Sequence, residues 1–216
     1  MILIKKVVRI SIGIGIISLF FSHIHTLPVY GQEQPEAITN LTAKFAEGKV
    51  LKSLFQHQVI DSFTHDTTLQ RGEIWLTSDA YKIRTETTTL LINRDISRVY
   101  DKLKNRVIIS EYDPAEDDFA PSQLLTDIYS RYKTSVSEQK EANNTIITLI
   151  SDDIFSTFKK IHIHLKQSEI PTKIIAIDQA DNKLVTTFHN PAFITSSPGI
   201  FQLVYPDNTD IVDLRP

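Results

Sequence analysis

Apolar and polar residues alternate along most of this chain. In KKIHIHLK (159–166), Ile161, Ile163 and Leu165 fall on one side of an extended strand; Lys160, His162, His164 and Lys166 fall on the other. In GEIWLTS (72–78), Ile74 and Leu76 oppose Glu73, Trp75 and Thr77. Further strands are predicted at LKSLFQHQVID (51–61), SRVYDKL (97–103), RVIISEY (106–112), KTSVSEQ (133–139) and NTIITLIS (144–151). TKIIAID (172–178), NKLVTTF (182–188) and GIFQLVYP (199–206) complete the set, and YKIRTETTTLLIN (81–93) reads as two strands or one bent one. These runs are rich in β-branched and aromatic residues, and Asn, Asp and Lys fill the turns between them. The short connections predict a meander of neighbouring strands. The Pro-bearing NPAFITSSPG (190–199) reads as irregular.

Two segments break the alternation. In PEAITNLTAKFAEGK, Ile38, Leu41 and Phe45 share a helical face, Pro35 precedes the first turn and Gly48 can end it. In FAPSQLLTDIYSRY (119–132), Pro121 suits the first helical position, and Leu124, Leu125, Ile128 and Tyr132 follow at helical spacing. A sheet that is apolar on one face needs a cover, and these helices are the available ones. The expected fold is therefore mainly β (α+β): a strongly curved antiparallel sheet of about 10–11 strands with helices over its apolar face. Two short helices fill such a hollow less densely than a second sheet would, which leaves an apolar pocket between them and the strands.

The N-terminus changes the picture of where this domain works. Lys5, Lys6 and Arg9 precede the apolar run ISIGIGIISLFF (10–21), and Val29 and Gly31 in LPVYG are small residues at the positions a signal peptidase reads. This pattern is that of a secretory signal peptide cleaved near Gly31, and the run is shorter than the roughly 20 residues of a spanning helix. One domain over 32–216 is expected, exported to the periplasm. The leader carries three of the 23 basic residues and none of the 26 acidic ones, so the remainder has a net charge of −6 with His neutral. That balance argues against nucleic acid as a partner and against an electrostatic hold on anionic lipid. The chain has no cysteine, which excludes thiolate catalysis, cysteine-based metal sites and lipidation at a cleavage-point cysteine.

Catalytic and metal chemistry find little purchase. His162 and His164 share a strand face, but no third ligand is evident, and they read as solvated histidines beside lysines. DPAEDD (113–118) gathers carboxylates without the spacing of a calcium loop and reads as a solvated turn. Glu111 and Asp113 share a strand face without a sign of shifted acidity, and no G-x-S-x-G, phosphate loop or H-E-x-x-H occurs. Trp75 reads as a packed or edge aromatic. No enzyme, metal or cofactor is expected.

The order of several strings resembles the periplasmic outer-membrane lipoprotein carriers, the LolA-like proteins. GEIWL (72–76) is followed by YKIR (81–84), and INRDISRVYDKLKNRVIISEYD (92–113) matches the family's succession of turn, strand ending in Tyr-Asp, tight turn and strand. PSQLL (121–125) matches the opening of its mid-chain helix, and FQLVYPDNTDIVDL (201–214) matches its ending. The resemblance implies an unclosed β-barrel whose helical lid covers a cavity for lipoprotein acyl chains. It assigns Ile74, Leu76, Tyr81, Ile83, Val99, Tyr100, Leu124, Leu125, Ile128, Ile161 and Ile163 to the cavity, and Ile38, Leu41 and Phe45 to a lid helix. It further implies a monomeric shuttle that takes acylated lipoproteins or other lipids from an inner-membrane release complex to an outer-membrane acceptor. Where the family has a gating Arg-Pro pair, this chain has Ser78 and Asp79, and its Trp before the Tyr of VYD is Arg98 here. Arg84 and Arg98 are the candidate replacements for the gate. The alternative is a related lipid-binding, envelope-stress sensor or interaction module that does not transport lipoproteins, its concave face filled by its own side chains.

Overall fold

The computed structural model describes residues 35–113, 125, 129, 132–139, 143–167 and 169–216. The expected signal peptide, Leu124, Ile128 and most of the expected helix over 121–132 lie outside the described residues.

Helix α1 (Glu36–Ala46) forms where Ile38, Leu41 and Phe45 fall on one face, and all three are buried. It ends as expected at Gly48, whose φ of +71° is a left-handed value that only glycine adopts without strain. Twelve strands follow: β1 (Lys49–Ile60), β2 (Thr67–Leu76), β3 (Ala80–Arg84), β4 (Thr88–Asn93), β5 (Ile96–Asp101), β6 (Arg106–Glu111), β7 (Lys133–Gln139), β8 (Asn144–Ile150), β9 (Phe158–Lys166), β10 (Ile170–Asp178), β11 (Lys183–Thr195) and β12 (Asp210–Asp213). The run 81–93 is thus two strands.

All twelve join one unclosed, strongly curved sheet in the order β12-β6-β5-β4-β3-β2-β1-β11-β10-β9-β8-β7. It consists of two meanders, β1 to β6 and β7 to β11, joined by the long antiparallel pair β1–β11 from Lys49↔Thr195 to Ile60↔Lys183. Two expectations are corrected. The stretch beginning at Asn190 continues β11 as far as Thr195: a register shift opposite Lys52 and Leu54, with Asn190 at φ 52°, makes it a bulge. A bulge tolerates Pro191 because it leaves backbone groups outside the ladder. The expected strand at 199–206 is instead a strap, and the final strand is β12, paired parallel with β6.

Strand alternation separates two faces. On the core face, Leu51, Phe55, Ile74, Leu76, Ile147, Leu149, Ile161, Ile163, Leu165 and Ile174 pack with Ile38, Leu41 and Phe45 of α1. The helix lies against β1 and β8; Phe45 meets the Phe193 ring edge-on at 5.3 Å, and Lys44 pairs with Glu169 at 3.5 Å. Burying three large side chains contributes about 1.5–3 kcal/mol each, more than this 11-residue helix could gain from propensity alone.

Candidate functional site

Registry across β2 to β6 determines which side chains meet on each face. Ile83, Leu90, Val99 and Ile108 are successive Cα partners and form one row on the core face. Tyr81, Ile92, Ser97 and Ser110 form the next. Tyr81 meets Tyr112 edge-on at 6.4 Å. Burial falls along the first row away from α1: Ile83, Leu90 and Val99 are half-buried, and Ile108 is 36% exposed. The helix therefore roofs the β1 and β8 side of the core face, and an apolar row continues past it towards the β6 edge.

The chain leaves β6 near one edge of the sheet and returns as β7 at the other. Leu125, on that connection, is fully buried in the same cluster as α1, and Tyr129 and Tyr132 pack against it. The Tyr129 hydroxyl is buried and has no hydrogen-bond partner; its burial pushes its pKa well up. It is a neutral O–H donor on a side chain packed against the apolar cluster.

Of the residues singled out in the sequence, Ile38, Leu41, Phe45, Ile74, Leu76, Tyr81, Leu125, Ile161 and Ile163 meet in one cluster, with Ile83 packed against it. Val99 lies in the half-buried row. Tyr100 points the other way: it partners Thr89 and Val107 on the outer face, one residue out of phase with Val99. Arg84 and Arg98 also project to that outer face. Arg84 pairs with Glu73 and lies 5.2 Å from the Trp75 ring. Arg98 partners Leu91 and Ile109. Both arginines therefore lie on the face of the sheet opposite the one that carries α1.

That outer face holds a second buried layer that strand alternation alone does not suggest. Trp75, Leu91, Tyr100 and Val107 are each 9% exposed or less there. The segment between β11 and β12 crosses over them as a strap. The Lys82 ammonium donates to the carbonyls of Ile200 at 3.0 Å and Gln202 at 2.9 Å, and Tyr205 packs on Tyr100 at 6.0 Å. Asn105 donates to the Asn208 carbonyl, and Arg106 pairs with Asp210 at 2.8 Å. Lys52, Lys82 and Arg84 surround the Trp75 ring within 5.7 Å. Desolvation, then the neighbouring Arg84 charge, lowers the Lys82 pKa. The sequence signal for this layer was the apolar residues at Trp75, Leu91 and Val107 on positions that should face water.

His162 bonds Thr148 at 3.0 Å, and no cluster of three or more His, Asp or Glu side chains able to hold a metal gathers among the described residues. An open cleft of about 560 Å³ lies where Leu54, Phe55, Gln56, Arg71, Glu73, Arg84 and His189 meet, its wall mainly apolar and its rim charged.

No family model matches the chain, and no curated protein matches it. Among solved structures, an uncharacterized conserved protein from Thermus thermophilus aligns at a TM-score of 0.53 and 9% identity, covering 82% of this chain and 97% of that one. A LolA superfamily protein from Nitrosomonas europaea aligns at 0.45 and 10%, covering 77% and 97%. A DUF1329 family protein from Desulfovibrio piger aligns at 0.43 and 8%, covering 77% and 96%. At these identities the first likeness shows the fold alone. The structural neighbours thus include LolA superfamily proteins, and what they bind is not carried over to this chain by that likeness.

Proposed function

We propose that the protein is a periplasmic binding protein for acyl chains, a carrier of acylated lipoproteins or related lipids, processed near Gly31 and working as a monomer over 32–216. The observation that carries this reading is the half-buried row Ile83, Leu90, Val99 and Ile108 continuing beyond α1. A row of that kind offers an extended chain a dry surface on one side of a sheet. Each methylene moved onto it from water contributes about 0.8 kcal/mol, so an acyl chain needs no charged anchor. The Tyr129 hydroxyl supplies one donor for an ester or amide carbonyl at the head of such a chain. A soluble carrier also has to release its cargo, and a short helix held mainly by Ile38, Leu41 and Phe45 is an element whose docking can compete with cargo. Delivery between an inner-membrane release complex and an outer-membrane acceptor belongs to the same reading and rests on the sequence resemblance.

The test is native mass spectrometry with lipid extraction on the processed protein recovered from cells that export it. An acylated species bound to the parent protein and missing from Leu90→Glu and Val99→Glu variants that still fold is the expected result. A clean apo mass, with no uptake of acyl lipid by the purified protein, would replace this reading by the non-carrying sensor or interaction module.

A further inference from the structure

Three turns of the sheet repeat one small device. In Asp61-Ser62-Phe63, Asp101-Lys102-Leu103 and Asp153-Ile154-Phe155, the Asp carboxylate accepts the backbone N–H of the apolar residue two positions on, at 2.9, 3.0 and 2.9 Å. This is an Asx turn, and at these three it holds a large apolar side chain out into water; a fourth at the same end, Asp178-Gln179-Ala180, carries only the small Ala180 at that position. Phe63 is 91% exposed, Leu103 81%, Phe155 89% and the neighbouring Ile154 74%.

All three turns are at the same end of the sheet. Ile60 partners both Thr67 and Lys183, Lys160 partners both Ile150 and Ile177, and Asp101 partners both Thr88 and Arg106. The turns are bound to their neighbours. Ser62 donates through its hydroxyl to the Ala180 carbonyl at 2.7 Å and through its backbone N–H to the Asn182 side chain at 2.9 Å. Gln179 donates to the Ser156 carbonyl, Lys159 pairs with Asp181 at 2.7 Å, and Lys102 donates to the carbonyls of Thr85 and Glu86. Along the strand order the tips fall four strands apart, which at the usual strand spacing is about 19 Å each. The described turns at the opposite end, at Ser78 and Asp79, Arg94 and Asp95, and Gln167 and Glu169, expose no large apolar side chain.

Single exposed apolar residues are ordinary on protein surfaces; the same residue class, at the same turn position, three times on one end is not. We propose that this end of the sheet docks on a lipid bilayer, with Phe63, Leu103, Ile154 and Phe155 entering the headgroup region. The shape selects that partner. Three separated tips define a plane, so one flat surface meets all three together, and the cleft between the Phe63 and Leu103 tips is lined chiefly by the polar residues Gln70, Arg71, Thr85, Glu86 and Thr87, with Leu69. The charge selects its type. The three Asp carboxylates are turned back onto their own backbones and Lys102 onto carbonyls, so the described residues of these tips present no row of free cations and neutral headgroups suffice. This proposal does not depend on the carrier reading, because it concerns the rim of the sheet and not its interior.

Because the chain has no cysteine, a single Thr64→Cys carries an environment-sensitive fluorophore at a tip, and Ser78→Cys carries it at the opposite end. The full chain is titrated with phosphatidylcholine vesicles. The expected result is a blue shift at position 64 that high salt does not abolish, with none at position 78. Adding Phe63→Ser, Leu103→Ser and Phe155→Ser to the Thr64→Cys chain should weaken partitioning roughly tenfold or more. Phe155→Ser alone serves if the triple variant melts below its parent. Equal shifts at both ends, or partitioning unaffected by the substitutions, would assign membrane contact to the N-terminal apolar run and overturn the proposal. So would a shift that native membranes produce and pure lipid does not, which would indicate a protein partner.

Discussion

Replacing Lys82 by Met tests the strap more sharply than any other single change. The Lys82 ammonium links the middle of the sheet to the crossing segment at both Ile200 and Gln202. Met keeps most of the aliphatic stem, so the change removes the two charge-assisted hydrogen bonds and one of the three cations around Trp75. Hydrogen bonds to a charged donor contribute about 1.5–3 kcal/mol each. Here the lower end applies, because the site is only partly desolvated and the two freed carbonyls can turn to water. Loss of the nearby Arg84 repulsion returns part of that. The expected net cost is about 2 kcal/mol, which for a domain of this size lowers Tm by roughly 4–8 °C. Trp75 is the only tryptophan and is 9% exposed, so its fluorescence reports the outer layer without labelling. Lys82→Met should red-shift its emission and raise its quenching by acrylamide before the sheet unfolds. A variant that melts with the parent, its tryptophan emission unmoved, would show that Lys82 does not hold the strap and that the outer layer is closed by β12 alone.

Other outcomes follow from the same geometry. Gly72→Ala would set a methyl group against the Arg84 carbonyl and the Phe55 ring, and should cost about 3 kcal/mol in a denaturant titration; a cost under about 1 kcal/mol would contradict the close approach of β1, β2 and β3 at that point. Tyr129→Phe removes a buried donor without a partner, so the empty protein should be as stable as the parent or more so by up to about 1 kcal/mol, and binding of an acyl ester should weaken while binding of a plain hydrocarbon does not. His57, His162 and His164 are all held below the ordinary histidine value of 6.5, chiefly by burial. The unfolded chain therefore takes up protons first, so their contribution to stability is complete above that value and is lost as pH falls below it. Thermal melts should drop as the pH is lowered from above the ordinary histidine value to below it, and His57→Gln should flatten part of that slope; a melting temperature that rises on acidification would refute the assignment.

Alternation in the sequence was sufficient for the fold class. KKIHIHLK and NTIITLIS could bury only one side of each strand, so a one-faced sheet needing a helix followed from periodicity, and Ile38, Leu41 and Phe45 marked that helix. The core-face residues Ile74, Leu76, Ile161 and Ile163 were legible for the same reason, since a period of two assigns a face without knowledge of partners, whereas Tyr81 and Ile83 were named through the family resemblance. Tyr100 was misplaced because phase errors in a strand cost nothing locally; only registry with Thr89 and Val107 sets its side. What the tertiary structure alone decided was everything that depends on distant partners. The β1–β11 pair, which turns two meanders into one sheet, joins residues more than a hundred positions apart, and no local propensity encodes it. The strap over Trp75, Leu91 and Tyr100 is of the same kind: those residues look exposed until the chain after β11 returns across them. The three Asp-x-apolar turns were present in the sequence as isolated tripeptides, and only the strand order brings them to one end of the sheet.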